Sequence, residues 1–276
     1  MKEYAGLVYL DVQKTGSTQI ERYLTRYLSG PPPVGQSHAP LRAGEGAEKL
    51  RVISVRDPVA SYISLFRYGC DGRGHLFMRL RALGRAGLYR PDASGLNAWL
   101  DLVLDPDAAP LLGSGYAQCG AVRLMGLMSY RVVRLFLPRA RVRLKHCAGR
   151  AEVARKLRRK RFMPDYLIRA ERLEEDLLAI FAEEGARIGL TRPVEEIALE
   201  MQAERRTNAS TAGAALSADD ITPDRLARLR EAEWVLQDVF GYGAPETRPE
   251  VVRGNVVLPR LRPPLPDRAT PRETTD

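Results

Sequence analysis

Three short apolar runs punctuate the chain at wide intervals: Leu7-Val8-Tyr9-Leu10, Val52-Ile53-Ser54-Val55 and Tyr166-Leu167-Ile168. Runs of four or so apolar residues bounded by breaks predict buried strands. After the first, Ile20, Leu24 and Tyr27-Leu28 recur at helical spacing until Ser29-Gly30-Pro31-Pro32-Pro33 stops them. After the second, Val59, Ile63 and Phe66 share a helical face, with Pro58 well suited to the first helical position. After the third, Leu173, Leu177 and Phe181 recur every four residues between Glu171 and Glu184. Thr222-Pro223 opens a last helix with Leu226, Leu229, Leu236 and Val239-Phe240 on one face. Strands alternating with helices predict an α/β chain whose parallel sheet is covered on both sides.

Residues 70–160 follow this rhythm less closely. Leu96-Trp99-Leu100-Val103 and Val122-Met125-Met128 have helical spacing, separated by Gly-rich breaks. Beyond Tyr242 the periodicity ends, and residues 244–276 contain seven prolines. The expected organisation is one domain over 1–243, variable over 70–160, followed by a disordered or draped 244–276 tail. No internal repeat is present.

Composition narrows the class. The 276 residues fit one large domain, and 45% hydrophobic with 28% charged residues excludes wholesale disorder. No apolar run approaches the roughly 20 residues of a membrane span. The beginning of the chain reads as a strand and not as a secretory signal. Cys70, Cys119 and Cys147 form no C-x-x-C pair, so neither a disulfide scaffold nor a metal spacing is expected. The expected compartment is the reducing cytoplasm. Charge is concentrated: Arg139 to Arg161 holds eleven basic residues and one acid, Glu152, for +10 in a chain of net +9. Only six of the 43 basic residues are lysine. Guanidinium groups suit bidentate phosphate or sulfate contact.

Two segments carry candidate chemistry. Lys14-Thr15-Gly16-Ser17-Thr18 joins the first strand to the first helix, where unpaired N–H groups and the helix dipole favour an anion. Gly16 allows close backbone approach, Ser17 and Thr18 carry hydroxyls, and Lys14 adds a point charge. The triphosphate-binding loop G-x-x-x-x-G-K-[ST] places lysine after its glycine; here Lys14 precedes Gly16. An ordinary capped turn is the plain alternative. The second segment is Arg56-Asp57-Pro58-Val59, with Ser64 about two helical turns on. It leaves the second strand at the crevice where open parallel sheets bind ligands. Its plain alternative is a helix capped by Asp57 beside a surface cation.

Taken together, the two segments resemble the family of sulfotransferases that use 3′-phosphoadenosine 5′-phosphosulfate (PAPS), and within it the carbohydrate-type branch of Golgi and bacterial enzymes. Phe162-Met163-Pro164-Asp165-Tyr166-Leu167-Ile168-Arg169, Glu171-Arg172-Leu173 with Asp176, Asn208-Ala209-Ser210 and Asp238-Val239-Phe240-Gly241-Tyr242 extend the resemblance over about 240 residues. It implies a P-loop-like three-layer α/β fold around a parallel sheet of about five strands. It implies that Lys14 contacts the 5′-phosphosulfate and stabilises the departing phosphate, and that Thr15, Gly16, Ser17 and Thr18 supply backbone and hydroxyl donors. Arg56 and Ser64 then hold the 3′-phosphate. Two positions depart from the family: Gln13 replaces a usual proline, and Ser61 a frequent second arginine, for which Arg205 and Arg206 are candidate substitutes. The implied acceptor is the hydroxyl of a saccharide or glycolipid. No metal is implied.

Transfer to a hydroxyl requires a base, and His38, His75 and His146 are the three histidines. The resemblance favours His38, because carbohydrate-branch relatives place a catalytic histidine in that region. His75 is second, His146 belongs to the basic run, and Glu45 and Glu48 are carboxylate fallbacks. Three rival readings remain: a nucleoside-phosphate kinase using the Lys14 loop, an inactive relative that only binds, and a polyanion- or nucleic-acid-binding protein using Arg139–Arg161. An anionic acceptor docking on that run reconciles it with the enzyme reading.

Overall fold

The computed structural model describes residues 1–42, 44–46, 48–158, 162–204 and 216–242, with the backbone of 251–253 and 256–258. Its main sheet runs in the order β1 (Lys2–Glu3), β2 (Leu7–Leu10), β3 (Leu50–Val55), β4 (Tyr166–Arg169). β2 pairs in parallel with β3, Leu7 opposite Leu50, and β3 with β4, Val52 opposite Tyr166. β1 is antiparallel to β2, with Lys2 opposite Tyr9. The three expected strands are therefore present as parallel neighbours in an α/β architecture. The sheet has four strands and not five, because the long excursion between β3 and β4 contributes only helices and turns among the described residues.

Helices of eight residues or more are α1 (Ser17–Tyr27), α2 (Pro58–Cys70), α3 (His75–Ala82), α4 (Ala93–Val103), α5 (Leu127–Phe136), α6 (Arg150–Leu157), α7 (Leu173–Ile188), α8 (Val194–Ala203) and α9 (Pro223–Ala232). Alternate strand residues face opposite layers. Leu7, Tyr9 and Val52 pack with Ile20, Tyr23 and Leu24 of α1 and Leu177 and Phe181 of α7. Val8, Leu10, Ile53 and Val55 pack with Tyr62 and Phe66 of α2, Trp99 of α4 and Phe136 of α5. Both faces are covered, so the strands read as continuous apolar runs without alternation.

Two sequence expectations shift. Val122 and Met125 lie in turns, and the helix begins at Leu127. Gly126, just before it, passes against Glu233: an added Cβ would lie 2.1 Å from Glu233 Oε1. The last helix ends at Ala232, and Val235–Val239 continues as one π-wound turn. Glu233 stands at that change and is completely buried. Its carboxylate accepts hydrogen bonds from Tyr62 (2.6 Å), the N–H groups of Met128 (3.1 Å) and Ser129 (2.6 Å), and the Ser129 hydroxyl (2.6 Å). A buried carboxylate without such donors would be strongly destabilising. Here it ties α2, α5 and the end of α9 together.

Residues 205–215 lie outside the described residues, and with them Arg205, Arg206 and Asn208-Ala209-Ser210; so do 159–161 and most of 244–276. Within the tail, Val251–Arg253 and Val256–Leu258 pair antiparallel. Among the described residues no helix is long and apolar enough to cross a membrane.

Candidate functional site

Beyond Leu10 the chain must reverse over the sheet edge to start α1, and it does so with two left-handed residues, Lys14 (φ 67°) and Gly16 (φ 79°). The left-handed region costs a side-chain-bearing residue about 1–2 kcal/mol, so Lys14 holds stored strain. Gly16 avoids that cost and lets the turn approach α7, where an added Cβ would come within 2.7 Å of Leu173 Cδ1. Thr15, between them, points inward. Its hydroxyl donates to the Val12 carbonyl (2.8 Å) and shares a hydrogen bond with Ser54 (2.6 Å), which also bonds the Tyr9 hydroxyl (2.7 Å). Thr15 is buried and its hydroxyl is engaged within the protein, so of the backbone and hydroxyl donors expected at this position the hydroxyl is already spent.

The outcome is an open helix N-terminus. No side chain caps α1, and the first helical bonds run from Gln19 (3.0 Å) and Ile20 (3.1 Å) to the Gly16 carbonyl. The N–H groups of Ser17 and Thr18 precede these bonds and belong to the orphan donors of a helix start. The capped-turn alternative therefore fails at α1. It holds at α2, where Asp57 accepts from Ala60 N–H (2.8 Å) and Pro58 follows. The Arg56 guanidinium crosses from the end of β3 and donates to the Lys14 carbonyl at 3.3 Å, so the two segments meet.

They meet at the floor of a cleft of about 1640 Å³. One drug-sized ligand needs roughly 300–1,000 Å³, so this cleft has room for a nucleotide and a second molecule. Of the predicted residues, Lys14, Gly16, Ser17, Thr18, His38, Arg56 and Ser64 all line it, as do Gln13 and His75. Arg67, Tyr68 and Arg73 form another wall, and Leu216–Ala218, Arg230, Gln237 and Tyr242 close the far side. The cleft is cationic. Its carboxylates are engaged: Glu171 accepts from Asp57 N–H (3.0 Å) and from the Tyr242 hydroxyl (3.0 Å), and Glu174 from Tyr23 (3.4 Å). Burial, then Glu171, raises the Tyr242 phenol pKa. Asp176, buried in the first turn of α7, binds the guanidinium of Arg169 at the end of β4 through two bonds of 2.9 and 2.6 Å and steadies the Glu171 turn.

Lys14 Nζ sits 3.9 Å from the Tyr68 ring centroid, and the Arg73 guanidinium 4.7 Å from the same ring. Burial, then Arg56 and Arg73, lowers the Lys14 pKa. A cation so placed gains from an incoming anion.

No family model, curated protein or solved structure matches this chain. The site must therefore be read from its own chemistry.

Of the histidines, His38 is the most constrained. It is left-handed (φ 59°) and partly exposed, and it reaches the cleft from the loop before β3. His75 opens α3 at the same cleft and is exposed. His146 is exposed on the basic run and does not line the cleft. Glu45 accepts the Arg42 N–H in an exposed turn, and neither it nor Glu48 reaches the cleft. Ser61 is buried in α2.

Sequence reasoning missed Asp11, Ser54, Tyr68 and Arg73. Asp11 and Ser54 had a readable signal, since each is a polar residue at or inside an apolar run. Tyr68 and Arg73 had none.

The basic run is only partly compensated. Arg150 pairs with Glu231 (3.2 Å) and Lys156 with Glu152 (3.1 Å), and Arg158 donates to the Asp238 carbonyl (3.4 Å). Arg139, Lys145 and Arg155 are exposed. Through Arg158 the run abuts the 231–238 segment whose Gln237 lines the cleft.

Proposed function

We propose that this chain is a PAPS-dependent sulfotransferase of the P-loop-like α/β type, transferring a sulfuryl group to a saccharide or glycolipid hydroxyl. The observation that carries the reading is the uncapped N-terminus of α1 set between Lys14 and Arg56 in a cationic cleft. That arrangement fits a ligand that presents anionic groups to both segments. Ser17 and Thr18 N–H groups with Lys14 form one point, and Arg56 with Ser64 the other. Bound PAPS supplies the activated sulfuryl group. Lys14 and the orphan N–H groups stabilise negative charge as it grows on the departing phosphate, the kind of preorganised electrostatics that dominates phosphoryl transfer. His38 accepts the acceptor proton.

A kinase reading is less well supported by the same turn. It offers one glycine, with its lysine upstream, which suits one phosphate-like group better than a wrapped triphosphate. With three free thiols, Cys70, Cys119 and Cys147, the compartment is taken as the reducing cytoplasm.

The test is calorimetric binding of adenosine 3′,5′-bisphosphate against ATP and AMP. Micromolar binding that needs the 3′-phosphate, and weakens at least tenfold in both Lys14→Ala and Arg56→Ala, is expected. Equal affinity for AMP would remove the sulfotransferase reading and promote the kinase or polyanion readings.

A further inference from the structure

The loop between α1 and β3 has no regular structure over most of its length, yet one residue in it is fixed from every side. The His38 backbone N–H donates to Asp11 Oδ2 at 2.8 Å. Its ring Nδ1 lies 2.8 Å from the Asp11 carbonyl oxygen and 3.1 Å from the same carboxylate oxygen. Its own carbonyl accepts from the Arg134 guanidinium of α5 at 3.0 Å. These bonds hold His38 in the left-handed region, a conformation that a non-glycine residue keeps only when its surroundings over-determine it. Asp11 is completely buried at the end of β2, three residues before Lys14.

We infer that Asp11 is a positioning residue for His38: its carboxylate and carbonyl oxygen together fix the ring's tautomer and direction, leaving Nε2 as the proton acceptor at the cleft. The inference rests on the sulfotransferase reading for the reaction served, and on geometry alone for the tautomer. Both oxygens at Nδ1 are acceptors, so neutral His38 carries its proton on Nδ1. Nε2 then holds the lone pair, and among the described residues no protein group bonds it. In the reaction Nε2 takes the acceptor proton while the acceptor oxygen–sulfur bond forms and the sulfur–phosphate oxygen bond breaks, its electrons leaving on the phosphate. The resulting imidazolium is stabilised by the Asp11 carboxylate, the role a buried aspartate plays behind a catalytic histidine in other hydrolases and transferases.

Other charges bear on this pair. The amino group of Met1 lies 2.8 Å from Asp11 Oδ1, the Glu21 carboxylate interacts electrostatically with Asp11, His38 and Lys2, and Arg134 approaches from α5. The Asp11 hydrogen bond raises the His38 pKa, against burial and the Met1 ammonium. Burial alone would raise the Asp11 pKa, but its bonds to His38 and the Met1 amino group bring it below the ordinary carboxylate range. A raised histidine pKa makes a stronger base that must first lose its proton. The rate should therefore rise with pH through a value above 6.5.

The test is nitrogen-detected NMR of the His38 ring across pH in the wild-type protein, with Asp11→Asn alongside. In the wild type, a neutral Nδ1–H tautomer and a pKa above 6.5 are expected. An Nε2–H tautomer or a pKa at or below 6.5 would overturn the inference without reference to any variant's folding. In Asp11→Asn, the expected results are a lower His38 pKa, a rate limb moved to lower pH, and a turnover loss of about 100-fold or more. Adenosine 3′,5′-bisphosphate affinity should stay within about twofold. An unshifted limb would sink the positioning role, whereas failure of the wild type to bind the bisphosphate would sink the sulfotransferase reading and leave the tautomer result standing.

Discussion

At the end of β2 the chain enters α1 through two left-handed residues and leaves the helix start without a side-chain cap. At the end of β3, a neighbouring strand of the same sheet, it enters α2 through Asp57, whose carboxylate satisfies Ala60, and through Pro58, which has no N–H to satisfy. Both junctions face one cleft, and each has a polar side chain beside the helix start, Thr15 before α1 and Asp57 before α2. The difference lies in where that side chain bonds. Thr15 is drawn into the sheet by Val12 and Ser54, so nothing local answers the α1 donors. An unanswered helix N-terminus flanked by cations is a place for an outside anion, while a satisfied one is structural.

Gly16→Ala is the sharpest way to break this contrast. The new Cβ meets Leu173 and is strained at φ 79°, so the turn must move and carry the Ser17 and Thr18 N–H groups with it. Bisphosphate affinity should fall about 30-fold or more, with a stability loss of about 1–2 kcal/mol. Wild-type binding in this variant would show that the turn is not the anion site. Arg56→Ala should cost about 10- to 100-fold in affinity, the scale of one charge-assisted contact, with little change in stability. The mirror experiment is Asp57→Ala, which should cost about 1 kcal/mol in denaturant unfolding. Ligand affinity should stay within about twofold; a loss comparable to that of Arg56→Ala would erase the distinction between the two junctions.

How much of this was legible in the chain depends on distance. The three strands and the helices that follow them declare themselves within ten or twenty residues, because burial on both faces leaves an unbroken apolar run. The positions of Lys14, Ser17 and Arg56 follow from those strands, since each lies in the junction after a strand end, and Ser64 follows about two helical turns into α2. The engagement of the Thr15 hydroxyl was not legible because Ser54, which turns it inward, is 39 residues away. Asp11 was overlooked because its partner is 27 residues on, in a loop with no periodicity. Glu233 read as part of a regular last helix, and its donors come from Tyr62 and Ser129, which only the tertiary fold brings near. Sequence patterning reports burial; it does not report which buried polar group meets which.

The contrast also has a pH signature. Lys14 has a lowered pKa because burial, Arg56 and Arg73 disfavour its ammonium. A bound anion supplies the missing countercharge and raises that pKa, so binding takes up protons at alkaline pH. Affinity should begin to fall as pH rises through the lowered value, before the ordinary lysine range near 10.4. Isothermal titration in buffers of different ionisation enthalpy reads the proton uptake directly. Lys14→Arg should abolish it, because arginine keeps its charge throughout. Uptake that persists in Lys14→Arg would assign the titration to another group and weaken the case for Lys14 at the anion.

The smallest effect separates the cleft from the basic surface beside it. Arg155 and Arg158 lie on or just after α6, exposed; Arg155 faces Glu152 at 3.8 Å, and Arg158 donates to the Asp238 backbone carbonyl at 3.4 Å. Exposed pairs contribute little, so Arg155→Ser with Arg158→Ser should change stability by no more than about 0.5 kcal/mol. Bisphosphate affinity should not move at all, because the anion site draws on Lys14, Arg56 and the α1 donors. An anionic acceptor that reaches past Gln237 onto this surface would show a raised Michaelis constant in the same variant, with the difference shrinking as salt is added. Parallel loss of donor and acceptor binding would mean that the two cationic regions act as one, and the separation between an open helix start and a solvated basic face would have to be abandoned.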